Sequence, residues 1–221
     1  MGLVTRITQV FPKRIRNCST WIAIAVLMSA LVNAQSADEL PPFIIPTRIH
    51  LVHSDHDASF TTTLTTDDIQ RIMKKVNSIW APANIRFAIE SIDKTEALNQ
   101  KYEGTDADFG RVLAAIPKER ILKKGINIFY VKDLTPNGFY SKGLIFVKDT
   151  AQLAEVPGGL DEPIPRVSAH EIGHALGLQH RQEVTNLMAS GKNGFSLNEA
   201  EIASARATAA TKFELLLKEQ K

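Results

Sequence analysis

The 221-residue sequence has very little cysteine, since Cys18 is its one cysteine. A chain with a single thiol cannot form an internal disulfide. The sequence also lacks internal repeats, low-complexity tracts and proline- or glycine-rich linkers. These absences predict one domain with a substantial core rather than several units joined by flexible segments.

No apolar run is long enough to span a bilayer, because the longest such run near the start, residues 21–32, falls short of the ~20 residues that a spanning helix needs. The residues before it include four basic side chains and no acid, and a small-x-small pattern, Val32-Asn33-Ala34, precedes Gln35. This arrangement predicts a signal peptide over residues 1–34 and a secreted or periplasmic protein. An uncleaved anchor is the alternative. After cleavage we expect no stable membrane span.

The charges of the chain are nearly balanced, with 26 basic and 24 acidic residues. Four of the basic residues lie in the leader, so 22 remain against 24 acids. Nucleic acids and anionic membrane surfaces require a concentrated basic surface, and the sequence does not predict either as a partner. Residues 35–45 then form a short N-terminal extension, and residues 46–221 form the functional domain.

Three histidines occur at fixed spacing in the segment HEIGHALGLQH, which begins at His170. His170 and His174 are four residues apart, so both imidazoles leave the same face of a helix and can share one ion. Gly177 can adopt positive φ, which ends the helix and lets His180 approach as a third ligand. Three protein ligands leave one zinc position for water, which is the catalytic arrangement. Glu171 can act on that water as a general base.

Five fixed positions in eleven residues are too specific to expect by chance in a chain of this length. The pattern HExxHxxGxxH resembles the metzincin clan of zinc metalloendopeptidases. That clan has a methionine in a tight turn beneath the metal, and Met188 lies eight residues after His180. The resemblance implies one catalytic zinc ion, Met188 as an apolar floor rather than a ligand, and a protein or peptide substrate. We expect a monomer.

Some positions depart from the subfamilies of the clan. Ser190 stands where astacin-like and serralysin-like members have a tyrosine that can approach the metal, so a fifth ligand is not expected. Arg181 matches none of the residues that follow the third histidine in matrixins, astacins, serralysins or adamalysins. Spacing and the segment 196–202 most resemble matrixins, and the subfamily stays open. Loss of Cys18 with the leader excludes the cysteine switch of matrixins, and the 35–45 extension is too short for a pro-domain.

The resemblance implies an α+β fold of the metzincin-like zincin type: a mixed, mostly parallel twisted sheet with an antiparallel edge strand, an active-site helix and a C-terminal helix. Local patterns predict strands at residues 47–53, 85–90, 126–131 and 144–148, and a loop at 93–105. They predict helices from Thr65 or Thr66, around residues 109–116, and from Pro165. A last helix is predicted to begin at a capping box at Ser196 and to include Leu216 and Leu217.

The strand before the active-site helix lines the cleft as the antiparallel edge strand in metzincins. By this resemblance, Gly143, Leu144, Ile145 and Phe146 would pair with an extended substrate, because an open edge offers unpaired backbone groups. The alternative is a strand that pairs only within the protein.

A second histidine cluster, His50, His53 and His56, suggests a second metal site. His50 and His53 point to opposite faces of a strand, so we interpret the cluster as a solvated strand end. Two other functions are open at this point: a non-catalytic zinc-containing peptide-binding module, and a zinc amidohydrolase that acts on a non-protein amide.

Overall fold

The computed structural model describes residues 42–100, 107–159 and 162–213, all within one compact unit, Leu40–Lys221. Its elements in chain order are β1 (Phe43–His53), α1 (Thr66–Trp80), β2 (Ile85–Glu96), α2 (Ala107–Ala115), β3 (Ile126–Val131), β4 (Gly138–Ser141), β5 (Leu144–Lys148), α3 (Pro163–Ala175) and α4 (Glu199–Phe213). The predicted signal peptide, Cys18, Leu216 and Leu217 lie outside the described residues.

The five strands form one sheet in the order β2-β1-β3-β5-β4. All neighbouring strands are parallel except β4, which runs antiparallel to β5 at one edge. Helix α1 connects the parallel neighbours β1 and β2, as parallel pairing requires a crossover. The predicted α+β fold with a mostly parallel sheet and one antiparallel edge strand is confirmed.

Helix α1 begins at a capping box and covers one face of the sheet. The Thr65 hydroxyl accepts from the Asp68 amide at 3.2 Å, and the Asp68 carboxylate accepts from the Thr65 amide at 2.9 Å. The apolar face at 3.6-residue spacing is buried: Ile69, Ile72, Met73, Val76, Ile79 and Trp80. Burying each such side chain contributes about 1.5–3 kcal/mol, so this face fixes the helix on the sheet.

Two apolar clusters lie on the two faces of the sheet, and the side chains of β3 alternate between them. Ile128 and Tyr130 join the cluster that contains residues of α1, α3 and α4, whereas Phe129 and Val131 join the cluster that contains α2. This explains why five of the six residues of β3 are apolar and all six are buried. Within the described ranges, no helix has both the length and the apolarity needed to cross a membrane.

Strands β1 and β2 are longer than the sequence predicts. β1 begins at Phe43, inside the predicted 35–45 extension, although Pro46 follows. Before Thr47, β1 pairs only with β2 and not with β3, so Pro46 has an edge-like position where a missing donor is tolerated. The predicted loop at 93–105 is wrong for residues 93–96, which continue β2 because they pair with residues 50–53 of β1.

Two helix starts also differ from the prediction. Helix α3 begins at Pro163, two residues before Pro165, because both prolines fit its first turn. Helix α4 is capped by Asn198, whose side chain accepts from the Glu201 amide at 2.9 Å. Ser196 does not cap it, because its hydroxyl donates to the Thr185 carbonyl at 2.8 Å.

The predicted position of the antiparallel edge strand is wrong. Gly143 lies in the turn before β5, and Leu144, Ile145 and Phe146 belong to β5, an interior strand between β3 and β4. β4 (Gly138–Ser141) occupies the edge instead. The β5 backbone is paired on both sides, so it cannot pair with a substrate strand.

The interpretation of the second histidine cluster as a solvated strand end is wrong for His50. His53 pairs with Asp55 at 3.3 Å and His56 is exposed, but His50 is fully buried between neighbouring strands. The His50 ring stacks on Phe129 with centroids 4.0 Å apart. Among the described residues, one group of three could hold a metal ion, and it includes none of these histidines.

Acid is expected to destabilise the protein through His50. Its Nδ1 lies 2.9 Å from the Thr95 hydroxyl oxygen, and burial lowers its pKa from 6.5 to about 4. The unfolded chain then binds more protons below pH 6.5, so stability is full above that pH and falls as the pH approaches 4. Lowering the pH from 7 to 4.5 should therefore reduce the free energy of unfolding by about 2.5 kcal/mol through this group.

Denaturant unfolding at both pH values measures this loss. His50→Gln keeps a polar side chain that does not titrate, so its stability should fall less over the same interval. Parallel falls in the wild type and the variant would contradict the role of His50.

Candidate metal centre

Helix α3 is held from several directions. Glu162, directly before it, pairs with Arg71 and with Lys75, the latter at 2.7 Å. Further along, the Trp80 indole donates to the Ala169 carbonyl at 3.3 Å. Its apolar side, including Val167 and Ile172, is buried in the core. These contacts fix the rotation of α3 about its axis, and with it the direction of the side chains on its other side.

The three predicted histidines converge. His170 and His174 extend from one face of α3, and Gly177 adopts φ +85°, which ends the helix. The amide of Leu178 then donates back to the Gly173 carbonyl at 2.9 Å. One ligand nitrogen from each of His170, His174 and His180 lies within 4.8 Å of the others. The predicted ligand triad therefore exists as a spatial cluster.

Hydrogen bonds set the tautomers of two rings. Nδ1 of His170 lies 2.7 Å from the Leu187 carbonyl oxygen, and Nδ1 of His174 lies 2.9 Å from that of Leu178. A carbonyl only accepts, so both Nδ1 atoms carry the proton and both Nε2 lone pairs point inward. Burial lowers the pKa of His170 to about 4 and also lowers the pKa of His174, which keeps both rings neutral, the form that binds metal.

The donor set fits zinc. Nε2 of His174 and Nε2 of His180 are 3.1 Å apart. Tetrahedral bonds of 2.0–2.1 Å place two ligand nitrogens about 3.3 Å apart. Three neutral imidazoles suit zinc, and a set of three leaves a coordination position open.

Glu171 faces the same cleft as His174 and His180, two members of the triad. The cleft has a volume of about 390 Å³. It is lined by Gly138, Phe139, Tyr140, Glu171, His174, Leu178, Gln179 and His180. Burial raises the pKa of Glu171 to about 8, and its side chain is 5% exposed. A β-carbon on Gly138 would come within 3.1 Å of the Glu171 Cγ, so glycine lets the edge strand lie close to this carboxylate.

Met188 is fully buried against α3. A β-carbon on Gly173 would lie 2.4 Å from the Met188 sulfur, so the absence of a side chain at Gly173 makes room for it. The Met188 amide donates to the Asn186 side chain at 2.7 Å, which closes a tight turn. We call residues 186–188 the methionine turn. The carbonyl of the preceding Leu187 accepts from His170, so the turn and the first histidine are directly connected.

Arg181 has a structural role that the sequence does not reveal. Its guanidinium donates to the buried carboxylate of Glu201 at 2.9 Å, and the same carboxylate accepts from Asn186 at 2.8 Å. Its backbone amide donates to the Met188 carbonyl at 2.8 Å. Arg181 therefore joins the residue after His180 to the methionine turn and to the start of α4.

Arg166 is a second residue whose structural role the sequence does not predict. It is 1% exposed on α3, and its guanidinium donates to the carbonyls of Ala154, Lys192 and Asn193 at 3.1, 2.5 and 2.6 Å. These bonds hold the chain that follows the methionine turn against the active-site helix. The available signal was an arginine within the otherwise apolar segment that precedes His170.

Comparison with known proteins supports the same assignment. The family model for matrixin, a peptidase family, matches residues 51–204. No curated protein matches the chain. A structure of mirolysin in complex with compound 9 superposes with a TM-score of 0.52 at 12% identity, covering 76% of this chain and 91% of that chain.

Two other solved structures are similar at lower scores. Mature mirolysin of Tannerella forsythia in complex with a cleaved peptide has a TM-score of 0.44 at 16% identity and covers 70% of each chain. A zinc-dependent peptidase from Methanocorpusculum labreanum has a TM-score of 0.40 at 14% identity, covering 74% of this chain and 99% of that chain.

The family match spans well over half of the chain and includes the whole histidine segment. The mirolysin superposition shows independently that the fold is similar to that of a solved structure. With three histidine nitrogens around one centre, the chain belongs to the matrixin family and is a zinc metalloendopeptidase of the metzincin type.

Proposed function

We propose that this protein is an exported endopeptidase that holds one zinc ion on His170, His174 and His180 and uses Glu171 as the general base. The observation that supports this best is the shared cleft: Glu171 lines one cavity with His174 and His180, and these two histidines cluster with His170. Export is supported by the basic and apolar pattern of residues 1–34.

Zinc bound to the three histidines would supply a Lewis acid that polarises the scissile carbonyl and brings the pKa of water near 7. Burial alone raises the pKa of Glu171 to about 8, and the positive charge of a bound metal ion would favour the ionised carboxylate that accepts a proton from the attacking water. Glu171 later gives that proton to the leaving amine. Its surroundings exclude most solvent, so the proton stays on the carboxyl between the two steps. The Nδ1–H bonds to Leu187 and Leu178 keep the His170 and His174 rings in the ligand orientation.

The substrate backbone would pair with β4. β4 is the last strand of the sheet, so within the described part of the chain one row of its amides and carbonyls has no strand partner. Gly138, Phe139 and Tyr140 of β4 line the same cleft as Glu171. An extended peptide added at this edge would pass directly over the catalytic residues. This arrangement favours a peptide over a small non-protein amide, which needs no strand edge.

The proposal is tested by incubating a peptide library with protein that has been recovered outside the cytoplasm and loaded with zinc. We expect an N-terminus at Gln35, cleavage within peptides rather than at their ends, and loss of cleavage when a chelator removes the metal. Mass spectrometry measures all three. A different N-terminus contradicts only the leader boundary, whereas absence of chelator-sensitive cleavage contradicts the enzymatic proposal.

A further inference from the structure

A basic groove lies beside the catalytic cleft at the far end of β4. It has a volume of about 430 Å³. Its lining includes four lysines, namely Lys123, Lys124, Lys142 and Lys212, and no acidic side chain among the described residues that form it. We call this the lysine groove. The balanced charge of the whole chain gives no indication of it, because these lysines come from three separate segments.

The lysine groove is continuous with the catalytic cleft. Tyr140 lines both cavities, and Ala175, which also lines the groove, directly follows the ligand His174. The Lys212 ammonium donates to the Ala175 carbonyl at 2.7 Å, so one positive charge stands at the C-terminal end of α3. A substrate in the cleft therefore meets the groove without leaving the edge of β4.

Lys142 occupies an unusual position for a lysine. It follows β4 directly, it is exposed, and its φ is +50°, in the left-handed region that glycine and asparagine prefer. Gly143 beside it also has positive φ. The tight turn thus places a long cation where the edge strand ends.

Like charges in one groove repel, and this repulsion is relieved when an anionic side chain enters. A peptide would pair more stably with β4 in the antiparallel direction. Its residues N-terminal to the scissile bond would then lie toward Ser141 and Lys142. Glu171 lies beside Gly138, the first residue of β4. Four residues of strand span about 13 Å, so the lysines reach the third to fifth residues before the scissile bond.

We propose that the lysine groove selects acidic side chains at the third to fifth positions before the scissile bond. This inference rests on the proposed endopeptidase function. The groove sets substrate preference, and the histidine triad with Glu171 carries out the reaction. The substrate class is therefore proteins with a short acidic segment on the N-terminal side of the cleaved bond.

Matched peptides test the inference. The best-cleaved library sequence is made with three glutamates or three glutamines at these positions, and kcat/KM is measured for each. We expect wild-type protein to prefer glutamate about three- to tenfold at low salt, since each exposed pair contributes modestly. This ratio should approach one in 0.5 M salt, where charges are screened within about 4 Å.

Variants that change the charge at different places separate the effect of the lysine groove from that of the overall charge of the protein. Lys123→Glu combined with Lys142→Glu should lower the glutamate-to-glutamine ratio below one. Lys94→Gln, an exposed lysine on β2 at the opposite side of the sheet, should keep the wild-type ratio. Equal cleavage of both peptides by the wild type, a ratio unchanged in the double variant, or acid preference only after the scissile bond would overturn the inference. Cleavage of neither the library nor the matched peptides would instead overturn the proposed function.

Discussion

Glu171→Ala should lower kcat/KM by a factor of about 10² to 10⁴ while the protein keeps its zinc. The carboxylate faces the cleft, and the three ligand nitrogens come from other side chains. Its loss removes the group that takes and returns the proton, and it leaves the ligand set complete. Peptide cleavage kinetics and metal analysis of the same sample measure the two effects separately.

Glu171→Gln is a stricter test of the general-base role, because the glutamine amide has nearly the same shape as the carboxylate and cannot accept the proton. Glu183→Ala removes an exposed carboxylate three residues after His180 and should behave as the wild type. Wild-type turnover in either Glu171 variant would remove Glu171 from the general-base role. Loss of zinc in both would show that the residue acts on the metal site instead.

His180→Ala should abolish zinc binding and cleavage together. This residue is the exposed member of the triad, so its removal leaves the core intact and should change the unfolding free energy of the metal-free protein by no more than about 0.5 kcal/mol. Losing even an outer partner of a ligand costs 10- to 100-fold in metal affinity, so losing a ligand should weaken binding by more than about 100-fold.

Metal analysis after gel filtration measures the zinc content, and circular dichroism checks the fold. His56→Ala is the matched control, because it removes an exposed histidine that is not in the triad. We expect one zinc ion per chain in this control. Stoichiometric zinc in His180→Ala would contradict the three-histidine site, and a second ion in the wild type would contradict the single-ion proposal.

The active-site segment could be predicted from the sequence because its geometry is local. His170 and His174 need only one helical turn to meet, and Gly177 supplies the change of direction within three residues. The pattern of α1 was predictable for the same reason, since a hydroxyl cap and 3.6-residue apolar spacing do not depend on distant partners.

The edge strand could not be predicted, because β4 depends on its partner. It has only four residues, the first of which is Gly138, and its sequence GFYS has no clear alternation. Pairing with β5 makes it a strand. The burial of His50 could not be predicted for a similar reason: its position in β1 suggests a strand end, but β2 extends far enough to pair with it. Arg181 and the lysine groove depend on contacts between segments far apart in the chain.

The hydrogen bonds to Nδ1 of His170 and His174 mean that most of the ligand set is preorganised. These two rings lose their rotational freedom when the chain folds, so an arriving ion has to order little more than His180. The apolar clusters on both faces of the sheet do not depend on the ion. A small zinc finger unfolds without its metal, whereas we expect this domain to stay folded when the ion is removed and to bind it again without refolding.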